Sequence, residues 1–441
     1  MYRELIAFIY HTLRGRKHEY TVQTAFFGRY LVWGKNELRK FSFINTQVAS
    51  SETAREINRS VVLNLIRRRQ PISRADLARA SGLQRSTVSL ITEELIRQRW
   101  VVYGPLGRLS RGRRPTFLRL NDRRAILVAD LRPTQVTVAV ADANGRFLSQ
   151  QRMSTPSGPA ATVEKLATTM RQLIVANPEL LFEGIGISIP GRFDPITKHV
   201  EFAPNLKWPD FDLKAPIEKA TGLQVKLENA ANACVLAEVW FGENDKARDL
   251  VVVTISEGVG TGIFVNGQLA RGHKGMAGEF GHVALDPDGP VCTCGGRGCW
   301  EVFASNRAAL RYYHETNTAT GDLQFRELLA LADGGDARAL KALDKMAVAI
   351  ARGTRMLVTA LAPQDVVFVG EFTRQWQRFG PVIQAEVAAG SFLGDPPQVR
   401  PAEAEGDLAR LRGTVALVLQ EHFGPSARVG RKNHRQSRIM A

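Results

Sequence analysis

The sequence has few cysteines and no long apolar run, and both deficits exclude large classes of protein. Only four of its 441 residues are cysteine, and three of them lie between residues 292 and 299. This clustering favours a metal site in a reducing cytoplasm over a disulfide framework. No apolar run reaches the roughly 18 to 20 residues that span a bilayer, and the N-terminal MYREL does not resemble a signal peptide. We therefore expect a cytoplasmic protein without membrane spans.

Acidic residues are scarce in the first part of the chain. Residues 1–124 hold 25 lysines and arginines against 9 acidic residues, whereas the other 317 residues hold 34 of each. The net charge of +16 therefore resides in the first 124 residues. Charge asymmetry of this size indicates a polyanionic partner for the N-terminal part, because a merely solvated basic surface would be spread more evenly.

The pattern of the sequence divides the chain into four segments. Residues 1–50 show no clear motif and are taken as an extension of unknown role. Residues 51–121 predict a winged helix-turn-helix domain, and residues 122–424 predict an α/β effector-binding domain. Residues 425–441 form a tail with five basic residues and no acidic ones.

Three helical segments and two strands follow one another in residues 51–121. Ser73 is placed to cap the second helix, and Gly82 supplies the turn before a third helix from about Gln84 to Arg99. Two strands then flank a loop rich in glycine and arginine, as in a wing. A generic basic three-helix bundle is the alternative, which the wing and the charge disfavour. The residues of the first helix expected to face inward are Ile57, Val61, Val62, Leu65 and Ile66.

The third helix is the candidate recognition helix, because its N-terminal residues meet the major groove in this motif. The candidates there are Arg85, Ser86, Thr87 and Ser89. Wing arginines can reach phosphates or an adjacent minor groove, and the candidates are Arg108, Arg111, Arg113 and Arg114. Two such units bind paired half-sites, so we predict double-stranded operator DNA as partner and a homodimer or tetramer.

Apolar strands that end in glycine loops alternate with helical stretches from about Ala125 onward. An Asn144-Gly145 pair predicts a hairpin turn between two of the early strands. Two rounds of strands followed by helices predict an α/β protein with two similar lobes around a cleft.

Several motifs of this segment occur in the order typical of the ROK family (repressors, open reading frames, kinases). They are GIGISIPGRFD, PNLKW, LENAANA, GVGTGIFVNGQLARG, MAGEFGHVAL and CTCGGRGCWE. The pairing of GEFGH with CxCGxxGC is highly specific, and the resemblance covers roughly residues 54–424. The helix-turn-helix ending in GRRP resembles the family's transcriptional repressors, such as its xylose and N-acetylglucosamine repressors. The resemblance implies an actin/hexokinase-like ATPase fold.

The residues with which a ROK kinase transfers phosphate are largely replaced. The resemblance places the catalytic aspartate at Ala230, which cannot accept a proton, and Glu228 lies two residues away from that position. The first phosphate loop, Asp-x-Gly-Gly-Thr in the kinases, reads DLRPT at 130–134, where proline lacks an N–H. The adenosine-side Gly-Gly pair reads Gly370-Glu371, whereas the second loop, GVGTG at 258–262, is intact. We therefore expect no kinase activity.

The residues that the resemblance assigns to sugar binding are kept. Carboxylates accept hydrogen bonds from vicinal hydroxyls, and amides both donate and accept hydrogen bonds, as the hydroxyls of a sugar ring require. The candidates are Asn205, Asn229, Glu279, His282 and Glu301. The sugar-binding residues are kept, whereas the phosphate-transfer residues are largely replaced. This combination predicts a regulator, more specifically a repressor, that binds a sugar or sugar phosphate. A sugar kinase with a fused DNA-binding domain, and a scaffold controlled by a protein partner, are the alternatives.

The cysteine-rich run predicts a structural zinc site. Its Cys₃His set is typical of closed zinc sites, and the ligands are His282, Cys292, Cys294 and Cys299. A DNA-binding finger would need a basic recognition helix in the metal module, whereas this run carries Asp286 and Asp288. We expect the metal to hold His282 and Glu301 at the sugar pocket. The fourth cysteine, Cys234, lies in an apolar helical stretch and is expected to be an inert core thiol.

Overall fold

The computed structural model describes most of the chain between residues 51 and 424. The described residues are 51–106, 116–193, 200–203, 206, 208, 211–242, 248–315, 323–389, 394–402 and 406–424. The predicted extension (1–50), the basic tail (425–441), Asn205 and the four wing arginines lie outside them. Within the described residues, no helix is both long and apolar enough to cross a membrane.

Three helices and a three-stranded antiparallel sheet form the first part, with strand order β1-β3-β2. The elements are α1 (Ser51–Arg69), β1 (Ile72–Ser73), α2 (Arg74–Ser81), α3 (Arg85–Arg97), β2 (Val101–Leu106) and β3 (Thr116–Leu120). The predicted helix-turn-helix and the two strands that flank the wing are therefore present.

Local signals set these boundaries. The Ser73 hydroxyl accepts from the Asp76 amide at 3.2 Å and caps α2, and Gly82 ends that helix at a φ of 71°. The inward face predicted for α1 was partly wrong, because Ile57 and Val61 are 45% and 39% exposed. The helix instead buries the face that contacts the rest of the domain, and its fully buried residues are Val62, Leu63 and Ile66.

The first lobe is a five-stranded mixed sheet in the order β10-β7-β4-β5-β6. Its strands are β4 (Arg124–Leu131), β5 (Gln135–Asp142), β6 (Phe147–Ser154), β7 (Leu181–Ile189) and β10 (Val225–Asn229), with a separate hairpin of β8 (Arg192–Phe193) and β9 (Val200–Phe202). The helices are α4 (Pro159–Ala176), α5 (Lys214–Thr221) and α6 (Ala230–Phe241). Gly145 turns the β5–β6 hairpin at a φ of 77°, as predicted.

The second lobe repeats the topology of the first, with the order β15-β14-β11-β12-β13. Its strands are β11 (Leu250–Ile255), β12 (Val259–Val265), β13 (Gln268–Leu269), β14 (Asp365–Val369) and β15 (Gln398–Pro401). The helices are α7 (Glu301–Ala304), α8 (Asn306–His314), α9 (Phe325–Asp333), α10 (Ala337–Leu361) and α11 (Trp376–Ala389). The last helix, α12 (Gly406–Phe423), packs on the first sheet. In both sheets the first strand pairs antiparallel with the second and parallel with a later one, so the prediction of two similar lobes is confirmed.

Helices α6 and α12 cross closely between the two sheets. A Cβ on Gly413 would lie 1.7 Å from the Ala233 carbonyl oxygen, so the crossing requires glycine. On the first sheet, a Cβ on Gly186 would lie 2.3 Å from the Thr414 carbonyl oxygen. Such close backbone packing leaves little room for one helix to move without the other.

Candidate functional site

A cleft of about 500 Å³ lies between the lobes. Strand ends and glycine turns of both sheets form its walls, which is where α/β folds place ligands. Four of the five residues predicted for sugar binding line it: Asn229, Glu279, His282 and Glu301. The structure therefore brings together residues that are separated by up to 72 positions in the sequence.

Asn229 joins β10 to α6 and serves as the N-cap of that helix. Its side-chain oxygen accepts from the Ala231 amide at 2.8 Å, and its Nδ2 donates to the Gly191 carbonyl at 2.9 Å. These bonds fix the orientation of the amide and leave one N–H and one lone pair for a ligand.

The two predicted glutamates have different surroundings. Glu279 begins a 3-10 turn (Glu279–His282), and its carboxylate is more than half exposed. Glu301 begins α7 and is 8% exposed, with one oxygen accepting from the Val259 amide at 3.1 Å. Its other oxygen lies 3.4 Å from the Thr293 hydroxyl. Glu301 is thus held rigidly, whereas Glu279 can adjust to a ligand.

The four predicted metal ligands lie together beside the cleft. One potential ligand atom from each of His282, Cys292, Cys294 and Cys299 lies within 4.8 Å of the others. The Cys294 and Cys299 sulfurs are 3.7 Å apart, and His282 Nδ1 is 3.7 Å from the Cys292 sulfur. A tetrahedral ion bound to sulfur at about 2.3 Å sets sulfur atoms about 3.8 Å apart. The cluster therefore fits a tetrahedral metal ion.

His282 faces the cluster with one nitrogen and the cleft with the other. Its Nδ1 is near Cys292, while its Nε2 is 3.8 Å from a carboxylate oxygen of Glu279. Trp300, which follows the last cysteine, is fully buried, and its indole donates to the Ala349 carbonyl at 2.9 Å. This anchor fixes the cysteine-rich run against helix α10.

The side of the cleft that the family resemblance assigns to phosphate contains two arginines that the sequence motifs did not connect. Arg132 Nε donates to Asp130 at 2.7 Å, and Arg410, 7% exposed, lies 3.9 Å from the same carboxylate oxygen. Arg410 also donates to the Ser256 hydroxyl at 3.3 Å and so contacts both lobes. Nothing in the sequence of α12 indicates which of its two arginines is buried, so sequence patterns missed Arg410.

The carboxylate of Glu228 is hydrogen-bonded to neighbouring side chains. Its carboxylate accepts from Arg271 at 2.7 Å and from the Asn232 amide at 3.1 Å, and it is almost fully buried. Both of its oxygens are therefore already engaged in hydrogen bonds with protein groups. The remaining cysteine, Cys234, is buried, and burial raises the pKa of its thiol to about 12, which keeps it protonated at neutral pH.

The start of α3 is open on the surface of the winged helix-turn-helix. Arg85 and Ser86 are exposed, whereas Thr87 and Ser89 are half-buried. No side chain caps the helix and no acid occupies its first turn, so its free N–H groups and dipole favour an anion there. An exposed residue that the sequence analysis did not single out, Leu90, lies on the same surface.

Comparison with known proteins relates both parts of the chain to characterised ones. The ROK family model matches residues 128–421, and that of the IclR helix-turn-helix domain matches residues 61–105. The xylose repressor of Bacillus subtilis (strain 168) is 31% identical over 382 residues, which cover 85% of this chain and 98% of that protein.

Two solved structures show the same fold. A ROK family transcriptional regulator, a homologue of the E. coli MLC protein, superposes with a TM-score of 0.73 at 23% identity, over 84% of this chain and 98% of that one. The ROK family glucokinase of Streptomyces griseus, in complex with glucose and AMPPNP, gives a TM-score of 0.61 at 29% identity, over 67% of this chain and 99% of that one. The predicted fold class, a helix-turn-helix followed by an actin/hexokinase-like α/β fold, is confirmed, and the chain belongs to the ROK family.

Proposed function

We propose that this protein is a sugar-responsive, DNA-binding transcriptional regulator, and more narrowly a repressor. Its kinase-like domain binds a sugar or sugar derivative without phosphorylating it. The observation that carries the proposal is that one chain contains both an exposed candidate recognition helix and a ligand cleft. The sugar side of this cleft is polar, and arginine side chains occupy its phosphate side. The similarity to a xylose repressor over 85% of the chain supports it.

The sugar-kinase alternative lacks a carboxylate at the position of the kinases' catalytic aspartate. Ala230 stands where the kinases have aspartate, and Glu228 is bound by Arg271. Glu371, in place of the second adenosine-side glycine, pairs with Arg326 at 2.8 Å. An ATP-coupled assay over hexoses and hexosamines should therefore show no turnover above background, and robust turnover would favour a kinase with a fused DNA-binding domain.

The proposed sugar site consists of Asn205, Asn229, Glu279, His282 and Glu301. Glu279→Ala should weaken sugar binding by about 10- to 100-fold, because a hydrogen bond to a charged group contributes about 1.5–3 kcal/mol. A thermal-shift screen of sugars and sugar phosphates identifies the ligand, since binding raises the unfolding midpoint by mass action. Calorimetry then measures the affinity of that ligand for the unaltered protein and for Glu279→Ala. Glu164→Ala, an exposed glutamate on α4, is the control. If no sugar binds the unaltered protein, regulation by a protein partner replaces this proposal.

The proposed occupant of the Cys₃His cluster is a structural zinc ion. Zinc would be held by three thiolates and His282 Nδ1, and in this way would fix the imidazole whose Nε2 faces the cleft. Cys299→Ser should reduce bound zinc from about one equivalent to near zero and abolish sugar binding, while operator binding persists. Elemental analysis and calorimetry measure the first two effects. Cys234→Ala should retain its zinc, and a Cys299→Ser protein with full zinc content would refute the ligand set.

The proposed nucleic-acid partner is double-stranded operator DNA, bound by a homodimer or tetramer. Paired half-sites require two helix-turn-helix units in one assembly. The contacts proposed are those of Arg85, Ser86, Thr87 and Ser89 on α3 and of Arg111, Arg113 and Arg114 in the wing. We propose that the DNA-binding domain spans residues 51–121 and the effector-binding domain residues 122–424. Operator binding requires the cytoplasmic location expected from the sequence.

Helix α12 connects the cleft to the DNA-binding part. Arg410 lines the cleft, and twelve residues further, about 18 Å along the axis, His422 meets the helix-turn-helix. Arg59 and Asn64 of α1 donate to the carbonyls of His422 and Phe423, at 3.0 and 2.9 Å. They thereby satisfy orphan carbonyls at the end of α12.

Aromatic and charged contacts complete this junction. The Trp100 ring lies 4.7 Å from the His422 ring and 5.7 Å from that of Phe423. The Arg124 guanidinium stacks over Trp100 at 4.3 Å and pairs with Glu183. Burial lowers the pKa of Arg124 to about 10, so it keeps its charge at neutral pH. We propose that closure of the lobes on a sugar moves α12 and thereby changes the spacing of paired recognition helices.

A further inference from the structure

The outward face of α3 carries an exposed leucine. Leu90 is 69% exposed, and among the large apolar residues of this helix, all of which the structure describes, it alone is exposed. The opposite side of the helix buries Val88, Ile91 and Leu95. At 100° per residue, the direction farthest from that core falls between Glu93 and Ser86, and Leu90 lies about 45° from it, on the outward half of the helix.

Leu90 lies among the polar residues that would contact DNA. It is one turn from Ser86 on the same face, and about 7.5 Å from Arg85 along the helix axis. That separation is short compared with a half-site of several base pairs at 3.4 Å per step, so both side chains would meet the same half-site. An exposed apolar side chain at this place has one apolar partner in the major groove, the C5-methyl group of thymine.

The neighbouring acid does not oppose such a contact. Glu93 lies on the same face as Leu90, but its carboxylate pairs with Arg74 at 3.4 Å. The Arg74 guanidinium also donates to the Tyr103 hydroxyl at 3.4 Å. Because Glu93 is paired, the surface around Leu90 does not present an unpaired negative charge to the phosphates.

From these observations we infer that Leu90 is a specificity residue that contacts a thymine methyl group in each operator half-site. The inference rests on the proposed function and adds the base that this residue reads. Burial of a methyl group contributes about 0.8 kcal/mol, so a thymine-to-uracil replacement, which removes only that methyl, should weaken binding about 3- to 5-fold per half-site. Leu90→Ala should weaken binding by at least as much and should make thymine and uracil equivalent at that position.

The test begins with selection of binding duplexes from a random pool by the full chain. Each thymine of a selected duplex is then replaced by uracil, and the affinities of the unaltered protein and of Leu90→Ala are compared as a double-mutant cycle. One position in each half-site should show a methyl effect that Leu90→Ala removes. Leu148→Ala, an exposed leucine on β6, should keep the effect.

Different failures have different meanings in this experiment. If no duplex is selected, the proposed DNA-binding function is wrong. If a duplex is bound normally but its methyl effects are identical for the unaltered protein and Leu90→Ala, only the assignment of Leu90 is overturned. A change in oligomeric state on Leu90→Ala, measured by light scattering, would also overturn it, because Leu90 would then contact another copy of the chain.

Discussion

Replacement of Arg85 by alanine is expected to weaken operator binding by about 30-fold or more. Arg85 is exposed at the uncapped start of α3, where the recognition helix of this motif reads the major groove. A bidentate arginine–guanine contact contributes about 1–3 kcal/mol of discrimination, and a dimer on two half-sites makes the contact twice. Fluorescence anisotropy with a selected operator measures the affinity. The salt concentration is held fixed, since salt changes the affinity of a protein for specific and for non-specific DNA.

The control for this experiment separates base reading from general charge. Arg171→Ala removes an equal charge from the exposed side of α4 and should change operator affinity less than 2-fold. The Arg85→Ala protein should also accept substitutions at one base pair that the unaltered protein rejects. An affinity equal to that of the unaltered protein would refute the choice of α3 as the recognition helix.

The helix-turn-helix was predictable because its signals are local. The Ser73 cap and the Gly82 turn each act within a few residues, and both are found in the structure. The inward face of α1 was mispredicted at Ile57 for a different reason. Which side of an amphipathic helix is buried depends on what packs against it, and here the partner includes the end of α12, more than 350 residues away in sequence.

In the candidate site, too, the features set by neighbouring residues were predictable and those set by distant residues were not. The grouping of His282 with the three cysteines was predictable, because the cysteines lie within eight residues and the histidine is ten residues from the first of them. The pairing of Arg410 with Asp130 was not, because 280 residues separate them and neither pattern indicates a partner. Leu90 was missed because an apolar residue in a helix is ordinarily assigned to the core.

The double variant Arg59→Ala/Asn64→Ala should uncouple operator binding from sugar binding. These two side chains hold the carbonyls of His422 and Phe423 at the end of α12, and neither belongs to the cleft or the recognition helix. Coupling between two sites is typically a 5- to 150-fold change in affinity. In the variant, the change in operator affinity caused by saturating sugar should fall to about 2-fold or less, while each affinity measured alone stays within about 3-fold.

A matched control exists on the same helix. Arg55 pairs with Glu94 at 2.6 Å, a contact that remains inside the DNA-binding part, so Arg55→Ala should keep the full sugar response. The experiment measures operator affinity with and without sugar, and sugar affinity with and without operator, because linkage requires the two ratios to agree. If the double variant responds to sugar as strongly as the unaltered protein, the signal does not pass through these two hydrogen bonds at the end of α12. The contacts of Arg124 with Trp100 and of Arg67 with Trp240, which join the helix-turn-helix to the cleft-bearing domain at other points, would then be the next to replace.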